Sequence, residues 1–390
     1  MCNINAKSVI ADLIRMAKVI IVDECSMQHR YHTEALDRTL RDITSRDQPF
    51  GGKIVIFSGD FRQCLPVIPG AGRGTVVDAA LNRSPLWSKF VVKGLTKNMR
   101  VLATGNPSLI GFDEWTLSVG DGLAESIGLT NLIEIPLEMY IKIEEKSKEN
   151  PEAEKESMTL LADQVYPNMV ENHLKTSWMD GRAILAPTNK KVDSLNNLIS
   201  DSFPGQPVVL TSSDEVINPD DLQRYNTEYL NTLTPSGMPN HRLFLKEGMP
   251  LMLLRNLNPK MGLCNGTRLI FHKVHKNYLL ECSIVGGEFN TRKILIPRIT
   301  TRPKDREFPF EWCRRQFPVR VAFAMTVNKS QGQTLHDVGV WLSDPCFSHG
   351  QLYVALSRVG SPSSIKLAIR TIDDKPANAT CNVVYKEVFN

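Results

Sequence analysis

The sequence predicts an α/β protein with two parallel-sheet domains, the second interrupted by a small β-barrel. Lys18-Val-Ile-Ile-Val-Asp-Glu24 and Lys53-Ile-Val-Ile-Phe57 are short apolar runs ending in polar residues, the pattern of buried parallel strands with ligand-facing groups at their carboxyl ends. A second set of such runs falls at 182–187, 320–324, 338–342 and 365–369. Between 245 and 318 the pattern changes: apolar runs at 250–254, 268–271 and 293–296 are separated by Gly, Asn and Pro, as in a small barrel.

Taken in order, the first strand is followed by Tyr31, Leu36, Leu40 and Ile43 at helical spacing, until Pro49-Phe-Gly-Gly52 breaks the pattern. The second strand then ends in Ser58-Gly59-Asp60. Residues 137–157 are highly charged and of mixed sign, which reads as a solvated helix or linker. Arg182-Ala-Ile-Leu-Ala-Pro187 opens the second α/β unit, with a helix over 189–198. The expected boundaries are 1–105 for the first domain, 106–175 for a connecting segment, 176–244 with 319–390 for the second domain, and 245–318 for the barrel.

With 390 residues the chain is long enough for two or three domains. Hydrophobic residues at 42% and charged residues at 23% exclude wholesale disorder, and a net charge of +4 suits a polyanion partner only if it is concentrated. The eight cysteines show no CxxC pair and no metal-ligand spacing, so free thiols in a reducing compartment are expected. No stretch approaches the roughly 20 apolar residues of a membrane span, and no signal-peptide pattern opens the chain, so a cytosolic or nuclear place is expected.

Asp23-Glu24 at the end of an apolar strand is an arrangement of nucleoside triphosphatases: one carboxylate holds Mg²⁺ through water, the next orients or deprotonates the attacking water. A solvated strand end is the alternative. Gly59-Asp60-Phe61-Arg62-Gln63 follows the neighbouring strand and should lie beside it, where the Gln63 amide can bond both a water and a phosphate oxygen. Farther on, Thr326, Asn328, Lys329, Ser330 and Gln331 gather at a strand end, where the N–H groups of a helix start can hold a phosphate, with an ordinary helix cap as the alternative. Arg358 ends a helical stretch and could cross a domain cleft, or simply favour a helix C-terminus. Arg298, Arg302, Lys304, Arg306, Arg314, Arg315 and Arg320 crowd one region with Phe308, Phe310, Trp312 and Phe317. Charge for the backbone and rings for base stacking suit a single strand, though the rings could equally be core.

In this order the residues resemble superfamily 1 DNA helicases of the PIF (petite integration frequency) type, especially the branch linked to Helitron transposons. Val22-Asp-Glu-Cys-Ser-Met27 is similar to motif II, and Phe50-Gly-Gly-Lys-Ile-Val-Ile-Phe-Ser-Gly-Asp-Phe-Arg-Gln63 to motif III. Glu34-Ala-Leu-Asp37-Arg-Thr-Leu-Arg41 resembles the segment that sets the PIF type apart. Leu95-Thr-Lys-Asn-Met-Arg100 resembles motif IV, Ala324-Met-Thr-Val-Asn-Lys-Ser-Gln-Gly-Gln-Thr334 motif V, and Gln351-Leu-Tyr-Val-Ala-Leu-Ser-Arg358 motif VI.

The resemblance implies two RecA-like domains, the first incomplete, with an SH3-like barrel inserted in the second. It implies ATP as substrate with Mg²⁺ at Asp23, and hydrolysis carried by Glu24, Gln63, Arg100 and Arg358, with Asp23, Gly59, Asp60, Gln331 and Gly332 around the nucleotide. The expected DNA contacts are Thr326, Asn328, Lys329 and Ser330, Asn265 and Arg268 of the Asn265-Gly-Thr-Arg268 turn, and Arg314 and Arg315. Further implications are single-stranded or forked DNA as partner, a monomer, 5′-to-3′ movement, nuclear placement, and work in repair, recombination and telomere maintenance.

The sequence holds no G-x-x-x-x-G-K-[ST] phosphate loop. Gly51-Gly-Lys53 is followed by Ile, and Gly70-Ala-Gly72-Arg-Gly74-Thr75 lacks the lysine. The family places that loop upstream of motif II, so an N-terminally truncated first domain, unstable by itself and slow in ATP turnover, is the expectation. A non-catalytic nucleic-acid-binding transposon remnant is the alternative.

Overall fold

A computed structural model describes residues 2–95, 97, 108–143, 150–221, 223–303 and 307–389. In the first domain Val19–Val22 and Ile54–Phe57 pair in parallel, Val19 opposite Ile54 and Val22 opposite Phe57. This register sets the Asp23 and Ser58 ends side by side. Helix Arg30–Thr44 buries Leu40 and Ile43, while Tyr31 of the expected face is exposed. Asp37, buried on that helix, accepts Phe50 N–H (2.6 Å) and Arg41 Nε (2.9 Å), which fixes the turn leading into the second strand.

The two strands are parallel as expected but not buried as expected. Ile21 is 68% exposed and Ile54 is 62% exposed, with Val19 and Ile56 beside them. Period-2 alternation sends these side chains to one face of the ribbon, and no described element covers that face. Val9, Ile10, Leu13 and Met16 of helix Val9–Met16 are likewise exposed.

The second domain is centred on a five-stranded parallel sheet, ordered Ala324–Thr326, Arg182–Ala186, Asp337–Leu342, Ile365–Arg370, Tyr140–Ile143. Its two faces feed separate cores: Ala183, Leu185, Val338, Val340 and Leu367 on one side, Ile184, Ala186, Trp341 and Ala368 on the other. Part of the charged 137–157 stretch is integral to this domain. Tyr140–Ile143 forms the edge strand, and helix Pro151–Val165 buries Met158, Leu161, Ala162 and Val165 against the sheet.

The insertion is antiparallel. Its main sheet runs Lys293–Pro297, Leu279–Val285, Arg268–His275, Pro250–Leu253, Val319–Val321. Val208–Thr211 pairs with Arg242–Leu245, and Ser213–Val216 with Trp312–Gln316. Leu210, Leu243 and Leu245 enter the same core as Leu251, Leu269 and Phe317. The inserted unit therefore starts near 208 rather than at 245, because the strands before 245 find their partners inside it. Among the described residues no helix is long and apolar enough to cross a membrane.

Candidate nucleotide and nucleic-acid site

The carboxyl ends of the first domain's strands face motifs V and VI of the second domain. Glu24 adopts a left-handed backbone (φ 50°) and donates its N–H to Asp23 Oδ1 (3.0 Å). Cys25 N–H bonds to Ser58 O and Ser58 N–H to Val22 O, both 2.9 Å, which zips the two loops together. Gly59 allows this close approach: a Cβ would lie 2.9 Å from Cys25 Sγ and 3.0 Å from Ser26 N. Gln331 Nε2 crosses from the second domain to Glu24 Oε2 at 3.1 Å, and a Cβ on Gly332 would stand 3.4 Å from Glu24 Oε1.

Gln63 Oε1 and Gln331 Oε1 are buried without a partner, and Gln63 Nε2 makes only a long contact (3.5 Å) with Asp60 Oδ2. A buried amide oxygen left unpaired is costly, so both positions suit a water or ligand donor. No described group of three His, Cys, Asp or Glu side chains could hold a metal. The residues therefore fit Mg²⁺ only in the way that ion prefers, through one or two carboxylates, waters and a ligand's phosphates. Asp23 and Glu24 would supply the protein's share.

Neither glycine run forms a phosphate cradle. Lys53 Nζ is bound to the carbonyl oxygens of Arg15 (2.5 Å) and Ala17 (2.7 Å), at the end of helix Val9–Met16. Arg73 pairs with Glu387 at 2.6 Å. Burial pushes the Cys25 thiol up to about 11 and the Cys64 thiol up to about 12, which suits inert packing rather than redox chemistry.

Arg358 is 3% exposed. Its Nε donates to Val354 O (2.8 Å), Nη1 to Ser330 O (3.2 Å) and Gln333 O (2.9 Å), and Nη2 to Ser357 Oγ (2.8 Å). In this conformation it braces motif V against motif VI, and its charge reaches the Cys64 thiol of the first domain. Arg100 lies outside the described residues, as do Lys304 and Arg306.

The expected DNA contacts divide sharply. Thr326, Lys329, Asn265 and Arg315 are at least partly exposed. Asn328 Oδ1 accepts from Gln351 Nε2 (3.1 Å), tying motif V to motif VI. Three expectations are corrected by burial. Ser330 is fully buried with its hydroxyl on Val327 O (2.7 Å). Arg268 is 6% exposed and directs Nη2 to Arg182 O (2.7 Å), inside the junction of insert and sheet. Arg314 is 0% exposed and paired with Asp214 at 2.6 Å. The rings follow the same rule: Phe310, Trp312 and Phe317 are core, not a stacking platform.

Several residues at the domain contact have no sequence signal of their own, because their partners lie far away in the chain. Tyr353 OH donates to Asp60 Oδ2 (3.0 Å), Arg62 Nε to Asp121 Oδ1 (2.7 Å), and His349 Nε2 meets Phe61 O at 2.7 Å. Motifs III and VI were legible, yet their meeting was not.

Two family profiles match the chain in order: one described as PIF1-like helicase over residues 1–127, and one described as DNA helicase Pif1, 2B domain, over residues 228–273. In both regions the chain is similar to PIF1-like helicases. The 2B match opens before residue 245, in agreement with the strand pairing of the insert. Among curated relatives, the ATP-dependent DNA helicase PIF7 of Trypanosoma brucei brucei is 26% identical over 93% of this chain and 37% of its own length. The ATP-dependent DNA helicase Pif1 of a Psychrobacter species is 24% identical over 94% of this chain and 55% of its own. The chain thus spans about a third to a half of these two PIF1-family relatives. Among solved structures, Pif1 helicase from Candida albicans aligns with a TM-score of 0.62 at 20% identity, over 97% of this chain and 77% of that one. The Bacteroides Pif1 helicase in complex with ADP-AlF3 and ssDNA gives 0.61 at 22%, over 93% and 73%. These likenesses establish the fold: two RecA-like domains.

Proposed function

We propose that the cleft between the two domains binds Mg²⁺ and ATP, and that the chain works as an ATP-dependent DNA helicase moving on single-stranded DNA. The observation that carries this reading is the Gln331–Glu24 hydrogen bond: the carboxylate suited to activating water is held by the second domain, through an amide whose own oxygen is buried without a partner. Nucleotide at Glu24 and DNA at the motif V surface would then share one element, so a change at one site shifts the other. The relatives' names and the bound ADP-AlF3 and ssDNA of the Bacteroides protein support the same assignment. The reading extends to 5′-to-3′ movement and to forked DNA in nuclear repair, recombination and telomere maintenance. A polarity assay on partial duplexes tests the direction.

A second reading has its own observation. The sequence holds no G-x-x-x-x-G-K-[ST] pattern, so this polypeptide alone should turn ATP over slowly and could act as a single-strand binder. One experiment separates the two: anisotropy of a labelled single-stranded oligonucleotide across a salt series, with and without Mg²⁺ and millimolar ATP. The helicase reading expects salt-sensitive binding whose affinity changes with nucleotide in the wild type and not in Glu24→Gln. Salt-sensitive binding indifferent to nucleotide supports the binder, and no single-strand binding at all refutes both.

A further inference from the structure

We propose that His349 is a positioning residue: with Gly350 it ties the Asp60–Gln63 loop of the first domain to the second domain, braced by the 383–389 segment. The claim concerns Gln63 and so rests on the nucleotide reading of the cleft given above. His349 is fully buried, with both ring nitrogens on backbone groups far apart in the chain. Tyr385 N–H donates to Nδ1 at 2.8 Å, so the ring proton sits on Nε2 and is donated to Phe61 O at 2.7 Å. One neutral imidazole thereby joins the loop of motif III to the 383–389 segment.

Gly350 sharpens the contact. Its φ is +72°, and a Cβ there would lie 2.3 Å from Arg62 O and 2.7 Å from Gln63 C. Backbone presses on backbone, and no flexible side chain can give way. Gly350 N–H also bonds to Val383 O (3.1 Å), so the two adjacent residues hold both the loop and the brace. Three residues on, Tyr353 reaches Asp60. The brace is anchored on the first domain by Glu387 to Arg73 (2.6 Å), by Arg83 to Glu387 O (2.7 Å), by Asn82 to Val388 O (3.0 Å), and by Val388 buried with Leu65, Val77 and Ala80.

An ordinary buried histidine would stabilise the whole fold. A positioning histidine should control one loop. The distinction is tested in the full chain by amide hydrogen exchange, read by mass spectrometry without nucleotide, and by the nucleotide effect on single-strand affinity. His349→Phe keeps a ring but removes both hydrogen bonds. Exchange across 61–65 should rise about tenfold, as expected for loss of buried hydrogen bonds, while 268–285 of the insert stays unchanged. His349→Gln, which offers a donor and an acceptor, should restore most of the protection. Unchanged exchange at 61–65, or an equal rise everywhere, would overturn the proposal. Should His349→Phe fail to fold, the exposed pair is broken instead by Arg73→Ala: selective loosening of 61–65 supports the proposal and its absence defeats it. If the loop loosens as expected while wild-type DNA affinity ignores nucleotide, the positioning role stands and the nucleotide reading falls.

Discussion

Replacing Asp214 by Ala would strand the most completely buried cation of the insert, and the structure fixes how large the effect should be. Arg314 donates from Nε to both Asp214 oxygens (2.9 and 3.1 Å) and from Nη2 to Oδ2 (2.6 Å). Its remaining bonds go to the carbonyl oxygens of Leu230 (2.9 Å), Leu233 (2.9 Å) and Pro239 (3.1 Å), the first two closing the C-terminus of helix Thr227–Thr232. Both side chains are 0% exposed, so neither charge has water to fall back on. Removing one partner of such a pair costs about 3–5 kcal/mol. The double replacement Asp214→Ala with Arg314→Met removes the stranded charge and takes the Arg314 donor from the carbonyls of Leu233 and Pro239, while Leu230 O keeps the Leu233 N–H (3.1 Å). It should therefore be more stable than Asp214→Ala alone, with a coupling of about 2 kcal/mol or more. Urea unfolding with hydrogen exchange across 208–245 and 312–316 measures both quantities. A control separates structure from recognition: Arg315→Ala, on the exposed side of the same strand, should weaken single-strand binding without moving the unfolding curve. If Arg314→Met left stability within about 0.5 kcal/mol of wild type and weakened DNA binding instead, the assignment of Arg314 to the core would be wrong.

Acid should destabilise the chain through three histidines. Burial is the leading cause lowering His349, His272 and His241; nearby cations add to it in each, while the Phe61 carbonyl, Asp60 and Glu387 oppose it at His349, Glu281 and Glu247 at His272, and Asp214 at His241. A base whose folded value is depressed binds its proton more readily when unfolded. Its stabilisation is thus complete above the unfolded value near ~6.5 and is lost as pH falls toward the folded one. The urea midpoint should drop between pH 7.5 and pH 5.5; a midpoint that rises over that window contradicts the burial of these rings. Separately, the uncovered face of Val19, Ile21, Ile54 and Ile56, flanked by open strand edges, should make the 390-residue chain self-associate and bind a hydrophobic dye. Ile21→Thr with Ile54→Thr should reduce both in sedimentation and dye titration, and no change would mean that another surface drives association.

The parts of the fold that could be read in the sequence are those that a few neighbouring residues determine. Val-Ile-Ile-Val followed by Asp-Glu, and Ile-Val-Ile-Phe followed by Ser-Gly-Asp, state a parallel strand and its carboxyl-end loop locally, and the register then sets the loop after Val22 against the loop after Phe57, with Cys25 beside Gly59. The edge strand Tyr140–Ile143 was hidden because charged neighbours on both sides outweigh four residues of alternation. The start of the insert near 208 was hidden for another reason: a strand's membership is decided by its partner, and Ser213–Val216 pairs with residues about a hundred positions away. The same holds at the site, where Tyr353, His349 and Arg62 have roles only through Asp60, Phe61 and Asp121.

Long basic side chains show the limit most clearly. Arg314 and Arg315 are adjacent and identical in type, and charge counting gives both to DNA. Yet Trp312–Gln316 is a strand, and its alternation puts Trp312, Arg314 and Gln316 on the buried face and Arg315 on the other. Period 2 thus settles which of the two faces solvent, since a residue two places from a core tryptophan on a strand shares its face. What period 2 cannot settle is whether an inward arginine is tolerable. That depends on Asp214 and on three carbonyl oxygens, Leu230 within helix Thr227–Thr232 and Leu233 and Pro239 after it; a one-residue slip, the other way to bring Arg314 outward, would expose Trp312 and Gln316 together. Asp214 therefore makes the inward arginine tolerable by neutralising its charge, and of the two neighbouring arginines only Arg315 faces solvent.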